Sequence, residues 1–323
     1  MRPAPLELAE VPVPTPREGQ VRIRVGACGI CHTDLHIVEG DLRPPTLPLI
    51  PGHQVVGIVD AVGSGVTRFR EGDRVGAAWL FKADGICARC REGRENLCER
   101  AQFTGYHVPG GYAEAVIAPA GFVYRLPHRY ADVEAAPLLC AGIIGYRSLR
   151  LADVQPGERI GLFGFGASAH LALQVARHWG CEVWVFTRGA GHRDLARSLG
   201  AAWAGGIEEA APGEIDRGVV FAPSGAIVVG ALRHIRRGGT LAVNAIHLDR
   251  IPEFPYALLY WERTVRSVAN ATRADGEEFL ALAGDLPLRI AAEPVAPERA
   301  NAALGALKRG EIQGAAVLRF AGA

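Results

Sequence analysis

Lysine is almost absent from this chain. It occurs only at Lys82 and Lys308, so nearly all of the 35 basic residues are arginine. This is a compositional bias and marks no site. Charge of one sign is also missing: 35 basic residues face 34 acidic ones, for a formal net charge of +1. That balance leaves no electrostatic footprint for nucleic acid or an anionic membrane. No apolar run reaches the ~18 residues of a membrane span. The opening MRPAPLELAEVPVP has no apolar stretch of the kind a signal peptide needs, so a cytoplasmic location is expected. Seven cysteines are too few for a disulfide scaffold of 323 residues, and the number is odd. In a reducing compartment, clustered cysteines are read first as metal ligands. Neither G-x-S-x-G nor a phosphate-cradling G-K-[ST] occurs, so hydrolase and P-loop chemistry find no support.

What is present suits a globular protein of two domains, with 49% hydrophobic residues. The first part reads as short strands among Gly/Pro-rich turns. Residues 20–25 (QVRIRV) alternate as a half-buried strand should. Residues 55–62, 73–75 and 112–117 read as further strands, and no long amphipathic helix is expected before about residue 133. Residues 134–150 then read as mostly helical. From 159 onward, strands alternate with helices at the spacing of parallel βαβ units in a doubly wound sheet.

Cysteine and histidine gather in several places. The segment C28-G-I-C31-H32-T-D-L-H36, the P-G-H53-Q54 turn and L-L-C140-A-G supply candidate ligands. A catalytic zinc needs three protein ligands and one open position. Cys31, His53 and Cys140 would make such a set, but spacing alone does not choose among the candidates, and a lone buried cysteine is more often core. A further cluster has the form D84-x2-C87-x2-C90-x7-C98 amid arginines. Asp84, Cys87, Cys90 and Cys98 would complete a tetrahedral structural zinc lobe. The alternative is an exposed loop of reduced thiols, and the harder carboxylate ligand lends that alternative weight.

The turn G164-F-G166-A-S-A169-H follows a strand and opens a helix. This is the context in which G-x-G-x-x-G/A marks a dinucleotide site. Gly164 permits the tight turn, Gly166 lets the backbone approach a pyrophosphate, and Ala169 replaces the third glycine with slightly looser packing. The helix N-terminus supplies N–H groups for the phosphates. The next strand ends in Thr187-Arg188 where an NAD site would carry Asp or Glu, and Arg193 follows. Thr187, Arg188 and Arg193 suit a 2′-phosphate, which predicts NADP(H) in preference to NAD(H). The alternative for Arg188 is a solvated loop residue.

In this order, CGICHTDLH, PGH, the Asp/Cys lobe, LLCAG and the glycine turn resemble the zinc-containing medium-chain alcohol dehydrogenases, over nearly the whole chain. The resemblance implies an α/β protein: a GroES-like β-rich catalytic domain (1–147 and 288–323) plus a Rossmann doubly wound parallel-sheet domain (148–287). It implies two zinc ions per subunit, a catalytic one on Cys31, His53 and Cys140 and a structural one on Asp84, Cys87, Cys90 and Cys98. Cys28 and Cys181 receive no metal role. It implies hydride transfer between an alcohol, or its carbonyl, and a nicotinamide cofactor. Thr33 and His36 would carry the proton, His32 would contact the pyrophosphate, and Asp34 would orient His53. Trp79 falls where the family has a bulky substrate-pocket residue, or else it is ordinary core. A homodimer or homotetramer is implied, with a small alcohol or aldehyde as substrate.

Three departures stand out. Gln54 replaces the usual Glu beside the histidine ligand, Asp84 replaces the usual Cys, and the usual first strand is missing before Leu6. Competing readings are an NAD-dependent enzyme, a zinc-independent quinone or enone reductase, and a non-catalytic protein that binds zinc and nucleotide. A complete Cys31/His53/Cys140 set argues against the zinc-free reductase.

Overall fold

The computed structural model describes residues 5–320. The domain limits expected at residues 1 and 323 lie outside them. The chain divides into two compact units, one of 1–140, 271–285 and 290–323, the other of 141–270 and 286–289.

The first unit is built on a seven-stranded sheet. Its long strand Gln20–Gly29 buries Val21, Ile23 and Val25 on one face, as the alternation predicts. That strand pairs antiparallel with Val55–Val62, and register shifts bend it at Arg22/Ile23 and Val25/Ala27. Its first half also pairs with Ala115–Pro119 and its end with Ala315–Arg319. Val21, Ile23, Val55, Val59, Val75 and Val116 form the core beneath it. Because Cys28 sits opposite Val55, the chain leaving one strand and the chain entering the other meet at one end of the sheet. Those two exits carry Cys31 and His53.

The second unit is a six-stranded, wholly parallel sheet in the order Trp203–Gly205, Glu182–Phe186, Arg159–Phe163, Ile215–Val220, Ile235–Val243, Thr264–Ser267. Successive strands grow to one side of Arg159–Phe163 and then to the other. Its carboxyl end is therefore the switch point at which open α/β sheets bind ligands. Phe163, Trp184, Ile215 and Leu241 fill the core.

Two sequence expectations shift. The helix expected over 134–150 is broken: a buried 3₁₀ turn Ala136–Leu139 ends at Cys140, and a separate helix runs Ala141–Leu151. Pro137 at the start of that turn withholds an N–H from a continuous helix. The helix Arg273–Asp285, expected within 148–287, groups with the first unit, where Gly276 lies against the ring of Tyr124. Among the described residues, no helix is long and apolar enough to cross a membrane.

Candidate active site

Cys31 is the N-cap of the helix His32–Glu39, with an extended backbone (φ −131°, ψ 160°). Asp34 at the third helical position accepts from the Cys31 N–H at 2.9 Å, so the local sequence itself fixes the helix start. Gly40, at φ +84°, ends the helix. His53 enters from the loop before Val55–Val62, and Cys140 from the end of the 3₁₀ turn. The three ligand atoms lie within 4.8 Å of one another. Cys140 Sγ is 3.3 Å from His53 Nε2 and 4.0 Å from Cys31 Sγ. The hydrogen bond from Cys140 holds the Cys31 thiol well below its usual range, against the effect of burial. Cys140 is pushed up in return, first by that same hydrogen bond and then by burial. Two thiol sulfurs and an imidazole nitrogen this close together are a donor set suited to a cation.

Asp34 is the hub behind the cluster, and it is wholly buried. Its Oδ1 accepts from Gly52 N at 3.0 Å and stands 3.5 Å from His53 Nδ1. The latter is ion-pair distance, longer than a hydrogen bond. Its Oδ2 accepts from Cys31 N and from the Tyr112 hydroxyl at 3.2 Å. Burial pulls the His53 pKa down, but Asp34 and then Cys31 outweigh it and hold it up at about 10. Burial also pushes the Tyr112 phenol well up, so Tyr112 acts as donor. Tyr112 was not singled out by sequence reasoning. Its only signal was the Gly110-Gly111 pair before it.

The remaining expected residues are placed as follows. Thr33 is buried, its Oγ1 3.8 Å from Cys31 Sγ. His36 is half-buried, with Nδ1 3.0 Å from Asp41 Oδ2. His32 is exposed. Gln54 is buried, its side chain folded against Gly29, where an added Cβ would lie 2.4 Å from Gln54 Oε1. Trp79 meets His53 edge-on at 5.0 Å between ring centroids and stacks on Phe103 at 5.0 Å. Tyr106 adds a third ring at 5.9 Å. The cluster therefore has an aromatic wall, of which the sequence marked only Trp79. Cys28 and Cys181 are buried apart from both clusters.

Asp84, Cys87, Cys90 and Cys98 also bring their ligand atoms within 4.8 Å of one another. Asp84 Oδ1 accepts from Ile86 N and Cys87 N at 3.0 Å each. Those N–H groups, Cys87 first, hold its carboxyl well below the usual carboxylate range. The carboxylate here serves the loop and can serve a cation at once.

At the switch point of the second unit, Gly164 has φ +90°, and a Cβ there would lie 2.9 Å from Ala222 N. Only glycine fits without a backbone shift. A Cβ at Gly166, by contrast, would meet nothing within 4 Å. Gly166 caps the helix Ala167–His178, whose first-turn N–H groups have no partner within the helix. Ala169 is fully buried. Thr187 N donates to Gly205 O at 2.7 Å. Arg188 is exposed. Arg193 is already engaged: Nε donates to Thr187 O at 2.9 Å, and Nη2 lies 2.9 Å from Glu209 Oε1.

Comparison with known proteins bears on both units. The model for "Alcohol dehydrogenase GroES-like domain" matches residues 17–128. A "Probable alcohol dehydrogenase AdhA" from Mycobacterium tuberculosis is 47% identical over 98% of this chain and 94% of its own length. Among solved structures, a cinnamyl alcohol dehydrogenase of Sorghum bicolor superposes with a TM-score of 0.90 at 29% identity, covering 97% of this chain and 93% of that one. A thermostable alcohol dehydrogenase from Pyrobaculum aerophilum, solved with cobalt and zinc, gives 0.89 at 26% identity, covering 99% and 98%. The fold is a GroES-like unit joined to a Rossmann-type parallel sheet.

Proposed function

We propose a reaction from the premise that the chain belongs to the zinc-containing medium-chain alcohol dehydrogenase family: reversible hydride transfer between a primary or secondary alcohol and NADP(H). The observation that carries this reading is the convergence of Cys31, His53 and Cys140 from three separate segments. Two thiolates and an imidazole are a zinc donor set that leaves a fourth position open. Zinc held there would supply Lewis-acid polarisation of the substrate oxygen.

The chain's own residues do the rest. Asp34 holds Cys31 N and the Nδ1 side of His53, so Nε2 faces the thiols. Trp79, Phe103 and Tyr106 would line the substrate side of the cluster and favour flat or short substrates. A bound nicotinamide would supply the hydride acceptor for the alcohol carbon, while Thr33 and His36 would carry the hydroxyl proton away. Asp41 accepting from His36 Nδ1 sets the tautomer whose Nε2 takes that proton. Within the second unit, Gly164 would form the tight turn and Gly166 would leave room for the pyrophosphate.

Thr187 and Arg188 support the 2′-phosphate reading. Arg193 supports it through Thr187, whose carbonyl it holds. Asp84, Cys87, Cys90 and Cys98 would take a second, structural zinc. A homodimer or homotetramer is consistent with the edge strand Thr264–Ser267, exposed along its length beside Tyr256, Tyr260 and Trp261.

The test is aldehyde-dependent oxidation of NADPH beside NADH by zinc-loaded protein, with one short-chain and one aromatic aldehyde. Turnover that favours NADPH is expected. NADH preference would overturn the phosphate reading alone. No turnover with either would favour a protein that binds zinc and nucleotide without catalysis.

A further inference from the structure

Tyr112 ties together the two segments that carry Cys31 and His53. Its hydroxyl donates to Asp34 Oδ2 at 3.2 Å, the same oxygen that holds Cys31 N at 2.9 Å. Its backbone N–H donates to Pro51 O at 3.0 Å. Its ring lies directly on Gly52, where an added Cβ would sit 2.4 Å from Tyr112 Cδ1. The neighbouring Gly110 and Gly111 donate to Ile50 O at 2.7 Å and Gly52 O at 2.9 Å. Residues 110–112 therefore clamp the loop that ends in His53. Asp34 in turn reaches the same loop through Gly52 N at 3.0 Å.

The carboxylate of Asp34 can rotate about its last torsion unless its oxygens are held apart in function. Cys31 N and Gly52 N each fix one oxygen, but both are backbone groups of the segments being aligned. Tyr112 is the donor on Oδ2 that comes from outside both segments. Without it, His53 Nδ1 faces an oxygen already 3.5 Å away, with less to hold it there.

We infer that Tyr112 is a positioning residue for the cation cluster, acting through Asp34 to set the pose of His53 relative to Cys31 and Cys140. The inference rests on the reading that Cys31, His53 and Cys140 hold a metal ion. Groups standing behind metal ligands typically change affinity by ~10–100-fold when lost.

The experiment is a cobalt(II) titration of metal-free protein in competition with a chromophoric chelator. The thiolate-to-cobalt absorption that Cys31→Ser removes belongs to this cluster. Tyr112→Phe keeps the ring on Gly52 and deletes only the hydroxyl. It is expected to weaken cobalt binding at the cluster by at least about tenfold and to shift the cobalt absorption, with the thermal midpoint little changed. A lowered midpoint with unchanged cobalt affinity and spectrum would mean a structural role only and would overturn the inference. Absence of any Cys31-dependent signal in the parent protein would overturn the metal reading together with it. A normal parent signal and an unaltered Tyr112→Phe titration would overturn the positioning role alone.

Discussion

Replacing Asp34 by Asn tests how the site is held together. The carboxylate is wholly buried and accepts from Cys31 N at 2.9 Å, Gly52 N at 3.0 Å and Tyr112 Oη at 3.2 Å, with His53 Nδ1 at 3.5 Å. Asn keeps one oxygen and turns the other position into a donor. If the amide nitrogen takes the Oδ2 place, it faces the Cys31 N–H. If it takes the Oδ1 place, it faces the Gly52 N–H. Either way one buried backbone donor is left without an acceptor, at a cost of ~1–3 kcal/mol. The charge opposite His53 is lost as well, and breaking a buried pair costs ~3–5 kcal/mol in the strongest cases. A local loss of about 3 kcal/mol follows, which is roughly a hundredfold in an opening equilibrium. Hydrogen exchange reads this locally, which matters for a chain of two units whose unfolding need not be two-state. Amides in residues 31–35 and 50–56 of the metal-free protein should exchange ~100-fold faster in Asp34→Asn, while those of Arg159–Phe163 stay unchanged. The His53 ring, held near 10 largely by Asp34 against burial, should titrate lower in the variant. Exchange rates within about fivefold of the parent, with His53 unmoved, would refute the hub argument.

Three further outcomes are expected. Arg188→Ala should raise the KM for NADPH by ~10–100-fold with little effect on NADH, since one charge-assisted contact to a phosphate is at stake; parallel changes with both cofactors would sink the assignment. Gly164→Ala puts a side chain at φ +90° and a Cβ 2.9 Å from Ala222 N, so cofactor affinity measured by fluorescence titration should fall at least about tenfold, and an unchanged affinity would count against the turn. His170 is buried, and that burial lowers its pKa to about 4 against the smaller opposing pull of the Ala167 and Gly166 backbone. The unfolded chain therefore binds a proton that the folded one refuses, and stability is lost as pH falls from about 6.5 toward 4, by ~3 kcal/mol in all. His170→Leu should flatten that slope in acid, as read by exchange of the helix Ala167–His178, and a parallel slope in both proteins would refute the assignment.

The parts legible in the sequence were those with local causes. Alternation of Val21, Ile23 and Val25 against Arg22 and Arg24 is a property of one strand, and it held. Gly164 announces its positive φ through the strand–turn–helix pattern around it. Asp84-x2-Cys87-x2-Cys90-x7-Cys98 closes within one loop, so spacing alone could assemble it. Cys31, His53 and Cys140 are different, because no spacing brings residue 140 to residue 31. Only the pairing of Cys28 with Val55, and the break of the helix at Pro137, put the three exits at one place. Tyr112 was the least legible of all. Its side chain matters because a buried carboxylate 78 residues earlier needs a donor from outside the segments it joins. Such a need arises only after the fold has excluded water from Asp34, for in water the same oxygen would be satisfied without it. The same logic explains why the aromatic wall was seen as Trp79 alone. Phe103 and Tyr106 become part of it through the antiparallel pairing of Leu80–Lys82 with Gln102–Phe103 across the intervening loop 84–98, a contact with no periodic signature in either two- or three-residue strand. Candidate ligands can be read from residue type. The groups that hold ligands in place are chosen by burial, and burial is a property of the folded chain.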